Sequence, residues 1–316
     1  MDDSIEALGD GGVLLTADAH AAGLGHREIT LRVRSGAWHR LRRGAYVDGA
    51  LWRASDDLAR HRLMSRAVVL QSDGRVALTQ TSGAVLREVE LWRPVLDRVH
   101  VVSLDGRTGR IEYGVSRHEG PVDEIGCDRI DGLLVAPAAY VVAGTMLASG
   151  AEQAVVAGDS ALRQGIVTRE ELEELAQSWL RHPRSRSLRW TVPLLDGRSG
   201  SVGETRGRLA IRRRKLPRPE LQLEVRDGDF VAYTDFAWPE LGVLGEFDGK
   251  GKYLRGMRAG DQPGDVVFRE KQREDRLREL GWEVVRFTWA DLDRPEVIER
   301  GFRRALERTR RQVVVA

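Results

Sequence analysis

Residues 231–253 read VAYTDFAWPELGVLGEFDGKGKY. The stretch predicts two short strands, VAYTDFA and VLGEFD, joined by a turn around Pro239, Glu240, Leu241 and Gly242, because a Pro early in a turn and a Gly at its close suit such a connection. Centring the turn between Glu240 and Leu241 places Asp235 across the ladder from Glu246. Directly opposed residues bring their Cβ atoms within about 5 Å on one face, and the two-residue strand period adds Asp248 to the face of Glu246. Three carboxylates on an otherwise apolar hairpin are costly unless a cation or protons answer the charge.

The chain around this hairpin has 316 residues, 41% hydrophobic and 31% charged, with a formal net charge of +2. That length accommodates two or three domains, and the composition is that of a soluble globular protein. A single cysteine, Cys127, excludes an internal disulfide and a cysteine-rich zinc site, which fits a reducing cytoplasm. The start, MDDSIEALGD, lacks the apolar core of a signal peptide. The long uncharged run 132–151 contains Pro137 and mostly small residues, so a buried helix after the Pro is expected rather than a membrane span.

From Leu14 to Val47 the pattern is helix, turn, helix, hairpin. Thr16 can cap a first short helix, and a second, HREITLRVRSG, buries Ile29 and Val33 and turns Arg27, Thr30 and Arg34 outward. The strand pair WHRLRRGAYV carries Arg40, Arg42 and Arg43 near its tip. Between Arg27 and Arg43 there are six arginines and one acid, Glu28. A winged helix-turn-helix with a basic wing accounts for this economically: helix side chains enter the major groove and wing arginines meet phosphates. The bland alternative is a solvated basic face. Residues 51–180 alternate helices and short strands and predict an α/β or α+β middle region. His61, His100 and His118 are isolated there and show no ligand spacing.

Residues 181–200, rich in Arg, Ser and Gly, read as a linker. The helix from Ser201 to Pro217 follows, and between Arg206 and Arg218 it carries seven basic residues, Arg212, Arg213, Arg214 and Lys215 among them, and no acid. Such density attracts a polyanion. Three strands, a charged helix, a strand and a final helix complete an expected α/β/α core on a mixed sheet.

Metal-dependent hydrolysis of a phosphodiester needs hard oxygen ligands close together and positive charge nearby. Asp235, Glu246 and Asp248 suit Mg²⁺ or Mn²⁺, with Lys250 or Lys252 beside the phosphate and Lys271 as a further choice. Glu204 is either a fourth carboxylate or, with Ser201, a capping box. The order SVGET, P-x-L-Q near Pro219 to Gln222, YTDFAWP, GEFDGKGKY, FREKQREDRL and GWEVVRFTW resembles the domain of proteins related to very-short-patch-repair endonucleases, of the PD-(D/E)XK superfamily, over about residues 201–308. The resemblance implies a restriction-endonuclease-like fold, with Asp235 as central acid, Glu246 as second acid, Glu204 as helix acid and Gln222 as a polar residue facing the site. One departure is plain: two positions after Glu246 stands Asp248 rather than Lys. The first fifty residues resemble the winged-helix domain of AbiEi-type antitoxin proteins, which implies DNA binding, and residues 51–180 resemble the segment that follows it in those proteins, which implies contact with a toxin or other protein partner. A cytoplasmic, DNA-binding, metal-dependent endonuclease is therefore expected, and a regulator or antitoxin with an inactive nuclease-like domain is the alternative.

Overall fold

The computed structural model describes residues 9–106, 109–120, 123, 126–179, 185–249 and 263–315, and in the last segment side chains from 268 to 311. The chain is α/β and divides into two units: Met1–Ala161 with Gly165–Leu194, and Leu162–Gln164 with Leu195–Ala316.

The first unit opens with β1 (Val13–Leu15), α1 (Thr16–Ala21), α2 (His26–Arg34), β2 (Trp38–Arg42) and β3 (Ala45–Asp48). The three strands form an antiparallel sheet in the order β1-β3-β2. Leu14, Ala19, Leu24, Ile29 and Trp38 make its core, with Val33 packed against them. Thr16 lies inside α1 rather than capping it; Asp18 closes the turn by accepting the Leu15 N–H at 3.2 Å. Asp48 then accepts the amides of Ala50 and Leu51, at 2.7 and 2.9 Å, and so starts α3 (Gly49–Ala54). The helix α4 (Asp57–Leu70) leads into a six-stranded mixed sheet.

That sheet is built from β4 (Val76–Leu78), β5 (Val99–Ser103), β6 (Arg110–Glu112), β7 (Val115–His118), β8 (Asp128–Ile130) and β9 (Leu133–Val135), in the order β6-β7-β5-β4-β9-β8. Between β4 and β5 lies α5 (Gln80–Leu86), and α6 (Ala138–Ala148), α7 (Ala151–Arg163), α8 (Arg169–Ser178) and α9 (Ser185–Thr191) follow the last strand. The uncharged run 132–151 thus divides into β9 and, after Pro137, the buried helix α6. Among the described residues no helix is long and apolar enough to cross a membrane. Thr168 and Glu171 form the expected capping box of α8. Residues 185–194, expected as linker, are helical instead. Leu188, Val192 and Leu195 are buried at helical spacing, and that apolar stripe prevails over the Arg, Ser and Gly composition.

The second unit comprises α10 (Val202–Arg213), β10 (Glu220–Asp227), β11 (Phe230–Trp238), β12 (Val243–Asp248), α11 (Pro263–Glu279), β13 (Glu283–Thr288), α12 (Trp289–Leu292) and α13 (Pro295–Val315). Its sheet has the order β10-β11-β12-β13, antiparallel except for the parallel pair β12 and β13. The hairpin takes the register its turn predicts: Trp238 faces Val243, Ala237 faces Leu244 and Phe236 faces Gly245. Pro239–Leu241 make a 3₁₀ turn, and Gly242 closes it at φ 62°, a left-handed conformation that costs Gly little.

Helices cover both faces. Phe236, Trp238, Phe247 and Phe287 pack with Ala210, Ile211, Ile298 and Phe302 on one side, while Ala237, Leu244 and Val225 pack with Leu277 on the other. Each buried phenylalanine contributes about 1.5–3 kcal/mol of transfer free energy. Two glycines let α10 lie flush on the sheet: a Cβ at Gly203 would stand 1.9 Å from the Phe247 ring, and one at Gly207 2.7 Å from the Phe287 ring. That close approach brings the N-terminus of α10 beside β10.

Candidate active site

Asp235 is where the regular sheet gives way on both sides. The β11–β12 ladder ends at Phe236 and Gly245, and the next amide, Phe247 N–H, donates to Asp235 Oδ2 at 2.8 Å. Opposite Asp235 on β10, the ladder skips Gln222, which pairs neither side although Leu221 meets Phe236 and Leu223 meets Thr234. Gln222 has φ 55°. A left-handed non-glycine residue costs about 1–3 kcal/mol and persists only where its surroundings impose it, often at functional sites.

The distorted Gln222 turns its amide toward α10, where Nε2 donates to Glu204 Oε2 at 2.9 Å. Glu204 is only 4% exposed, yet it is well satisfied. Oε2 also accepts the Gly200 N–H at 2.6 Å, Oε1 accepts the Ser201 hydroxyl at 2.9 Å, and Ser201 Oγ in turn accepts the Glu204 N–H at 3.2 Å. Of the expected capping box the Ser201 half is present, Oγ on the Glu204 N–H, while the Glu204 carboxylate reaches back to the Gly200 N–H and the Ser201 hydroxyl; the helix N-terminus supports the charge.

Glu246 differs. It lies on the α11 side of the sheet, facing Arg286 across the parallel ladder. Oε2 accepts Arg273 Nη2 at 2.6 Å, but Oε1 is buried and has no hydrogen-bond partner among the described residues. Burial therefore pushes the Glu246 carboxyl above its usual range, against the pull of Arg273, and the nearby Asp235 charge adds to the upward shift. Burial also opposes the charge of Arg273, but Glu270 and Glu246 outweigh it and hold the guanidinium above its ordinary value. Arg273 further binds Glu270 through Nε and Nη2, both at 2.9 Å. Arg286 bridges Glu270 and Glu274 at 2.6 and 2.9 Å, which removes the like-charge repulsion those two would otherwise feel one turn apart.

Among the described residues the cation that meets Glu246 is an arginine, Arg273. Lys271 is exposed on α11, whereas Glu270, Arg273 and Leu277 face the sheet at helical spacing. Leu277, fully buried, was the available signal: it marks the inner face, and Arg273 lies one turn before it. Lys250 and Lys252 lie outside the described residues. Asp248 follows Glu246 by two residues on β12; among the described residues no group of three or more His, Cys, Asp or Glu side chains that could hold a metal is present. The strand rise separates Asp248 from Glu246 by about 6–7 Å over two residues. Two carboxylates still suit Mg²⁺, which takes one or two from the protein and completes its octahedron with waters and substrate phosphates. The unpartnered Glu246 Oε1 is the atom that fits such an ion.

The basic stretches resolve differently. Arg27, Thr30, Arg34, Arg40 and Arg43 are exposed and Arg42 is half-buried, while Arg32 is drawn back to Glu28 and over the Trp38 ring. Thr30 Oγ1 donates to the His26 carbonyl at 2.8 Å. In the second unit Arg206 is buried against Asp293 and Arg214 Nε binds Glu299 at 2.6 Å, so part of that basic run serves the fold. Arg212, Arg213 and Lys215 remain exposed. The histidines of the first unit are not isolated, as their sequence spacing suggests. His100 Nδ1 lies 3.0 Å from His118 Nε2, and Ser82 Oγ is 2.8 Å from both His61 Nε2 and the His100 amide nitrogen. Strand pairing between β5 and β7 creates this contact, which linear spacing cannot register. Burial, then the charges of His118 and His61, lower His100 to about 4.

No family model matches the chain. It is similar to two uncharacterised proteins of Mycobacterium tuberculosis, one from each of two strains, both 29% identical over 184 residues. The match covers 58% of this chain and 65% of the length of each relative.

Proposed function

We propose that the second unit is a metal-dependent phosphodiesterase acting on DNA, with Asp235 and Glu246 as ligands of Mg²⁺ or Mn²⁺, and that the first unit binds DNA through α2 and the β2–β3 ribbon. The observation that carries this reading is Glu246 Oε1, a buried carboxylate oxygen without a hydrogen-bond partner among the described residues, beside a second acid. Uncompensated burial of that kind is expensive, and a cation relieves it. When bound, the ion would polarise a phosphoryl oxygen and lower the pKa of a water. The protein's own groups have separate tasks: Phe247 N–H orients Asp235, Arg273 fixes the second oxygen of Glu246, and Gln222 ties this end of the sheet to α10.

A second reading rests on Arg273. Its guanidinium already answers part of the Glu246 charge, as a resident cation would in a regulator or antitoxin whose nuclease-like domain is inactive. Incubating the pure protein with plasmid and linear DNA in Mg²⁺ or Mn²⁺, beside Asp235→Ala and Glu246→Ala, separates the two. Cleavage lost in both variants supports the nuclease; no cleavage by the parent protein, or equal cleavage by the variants, sinks it. For the first unit, replacing Arg27, Arg34, Arg40 and Arg42 by Gln should weaken duplex binding and flatten its salt dependence by about one unit of slope per phosphate contact removed. Unchanged affinity would make these arginines a solvated face.

A further inference from the structure

Arg42 is half-buried, unlike its exposed neighbours Arg40 and Arg43 on the ribbon. It closes one wall of a cavity of about 560 Å³ in the first unit, whose other walls carry Arg75, Arg110, Arg117, Tyr113 and the carboxylates of Asp105 and Glu112. That volume falls within the range of small-molecule sites, about 300–1,000 Å³.

The guanidiniums are unequally engaged. Arg110 is paired with Glu112 at 3.0 Å. Arg75 uses Nε on the Ser72 carbonyl at 3.0 Å, which anchors its stem, and Arg117 makes one long contact, 3.4 Å, to Ser103 Oγ. Neither forms an ion pair with a described residue, and Arg42 hydrogen-bonds none. Burial lowers the Arg42 pKa, with Glu112 pulling the other way. A half-buried guanidinium without an acceptor favours an anion at this place, and phosphate is the anion whose oxygens match the guanidinium fork.

Tyr113 adds a base-recognising element. It occupies the two-residue turn between β6 and β7 with Gly114, at φ 46° and 76°, the pattern of a type I′ hairpin. Asn or Asp is the favoured residue at that first position, yet here a tyrosine holds the strained conformation and presents a ring that is 85% exposed. An aromatic face beside arginines is how proteins take a nucleobase next to its phosphate.

We infer that this cavity binds a nucleoside phosphate, with the phosphate on Arg42, Arg75 and Arg117 and the base on Tyr113. The source of that unit is either a free nucleotide or the phosphorylated end of a nucleic-acid strand. The site is independent of duplex binding through α2, which depends on Arg27 and Arg34.

Calorimetric titration of the full chain with AMP, ATP, adenosine, inorganic phosphate, and single-stranded oligonucleotides bearing a 5′-phosphate or a 5′-hydroxyl tests it. AMP or ATP should bind and adenosine should not. Arg75→Glu combined with Arg117→Gln should lower the affinity at least about tenfold, with Arg75→Lys and the thermal midpoint as controls for folding. Tyr113→Ala should weaken AMP without changing inorganic phosphate. Binding by the 5′-phosphorylated oligonucleotide but by no mononucleotide assigns the source to a strand end. Absence of binding by every phosphorylated ligand, or equal affinity in the double variant, overturns the proposal. Duplex binding lost on replacing Arg27 and Arg34, with AMP binding retained, shows that the two sites stand or fall separately.

Discussion

Glu204 is a buried and Glu246 a half-buried carboxylate of the second unit, and their surroundings are opposite. Around Glu204, a backbone amide, a hydroxyl and a side-chain amide fill both oxygens, and the first turn of α10 adds its dipole. Around Glu246 one oxygen is held by Arg273 and the other has no hydrogen-bond partner among the described residues. A satisfied buried charge holds a structure together, whereas a half-satisfied one leaves free energy for something else to recover. It is the hydrogen-bond partners of the two glutamates that separate their roles.

The largest effect that would break this comparison is on turnover. Glu246→Gln and Asp235→Asn should each lower Mg²⁺-dependent cleavage about a thousandfold, the equivalent of several kcal/mol of transition-state stabilisation. Glu204→Gln, which keeps its acceptor oxygen, should stay within a few fold per folded molecule. Equal losses in all three, measured as initial rates on plasmid DNA, would show that Glu204 is a ligand after all.

Stability should run the other way. Glu204→Ala leaves the Gln222 amide, the Gly200 N–H and the Ser201 hydroxyl short of an acceptor while Ser201 still caps the helix, so about 2–3 kcal/mol should be lost in a urea midpoint measurement. Glu246→Gln removes a buried charge while keeping an acceptor for Arg273, and should change stability by less than about 1 kcal/mol. A greater loss at Glu246 than at Glu204 would reverse their assigned roles.

The smallest effect is in pH. The carboxyl of Glu246 titrates above its ordinary 4.5 in the folded protein, so the folded state holds a proton there that the unfolded state has released. Its contribution to stability is present in acid and declines as pH rises through the raised value. Metal binding requires the deprotonated carboxylate, so affinity should rise through the same window. Mg²⁺ should raise the thermal midpoint more at pH 8 than at pH 5, and Glu246→Gln should abolish that difference. An Mg²⁺ effect independent of pH would remove Glu246 from the ligand set.

Much of the second unit was legible in the residues. Pro239 and Gly242 specify the turn, the turn specifies the register, and the register brings Asp235 alongside Glu246 without any knowledge of the rest of the fold. The period of apolar residues likewise determined the order of helices and strands and the α/β class. Arg273 was not legible, because a helix 27 positions beyond Glu246 meets it only when α11 docks on the sheet. The left-handed Gln222, the His100–His118 contact and the cavity behind Arg42 share that origin: each depends on strands or helices distant in sequence becoming neighbours. Local geometry, set by backbone chemistry within a few residues, is written in the sequence and determined which acids this protein places in its hairpin. Which of those acids is satisfied, and by what, was decided only by tertiary packing, since desolvation and Coulomb energy depend on what surrounds a charge in space.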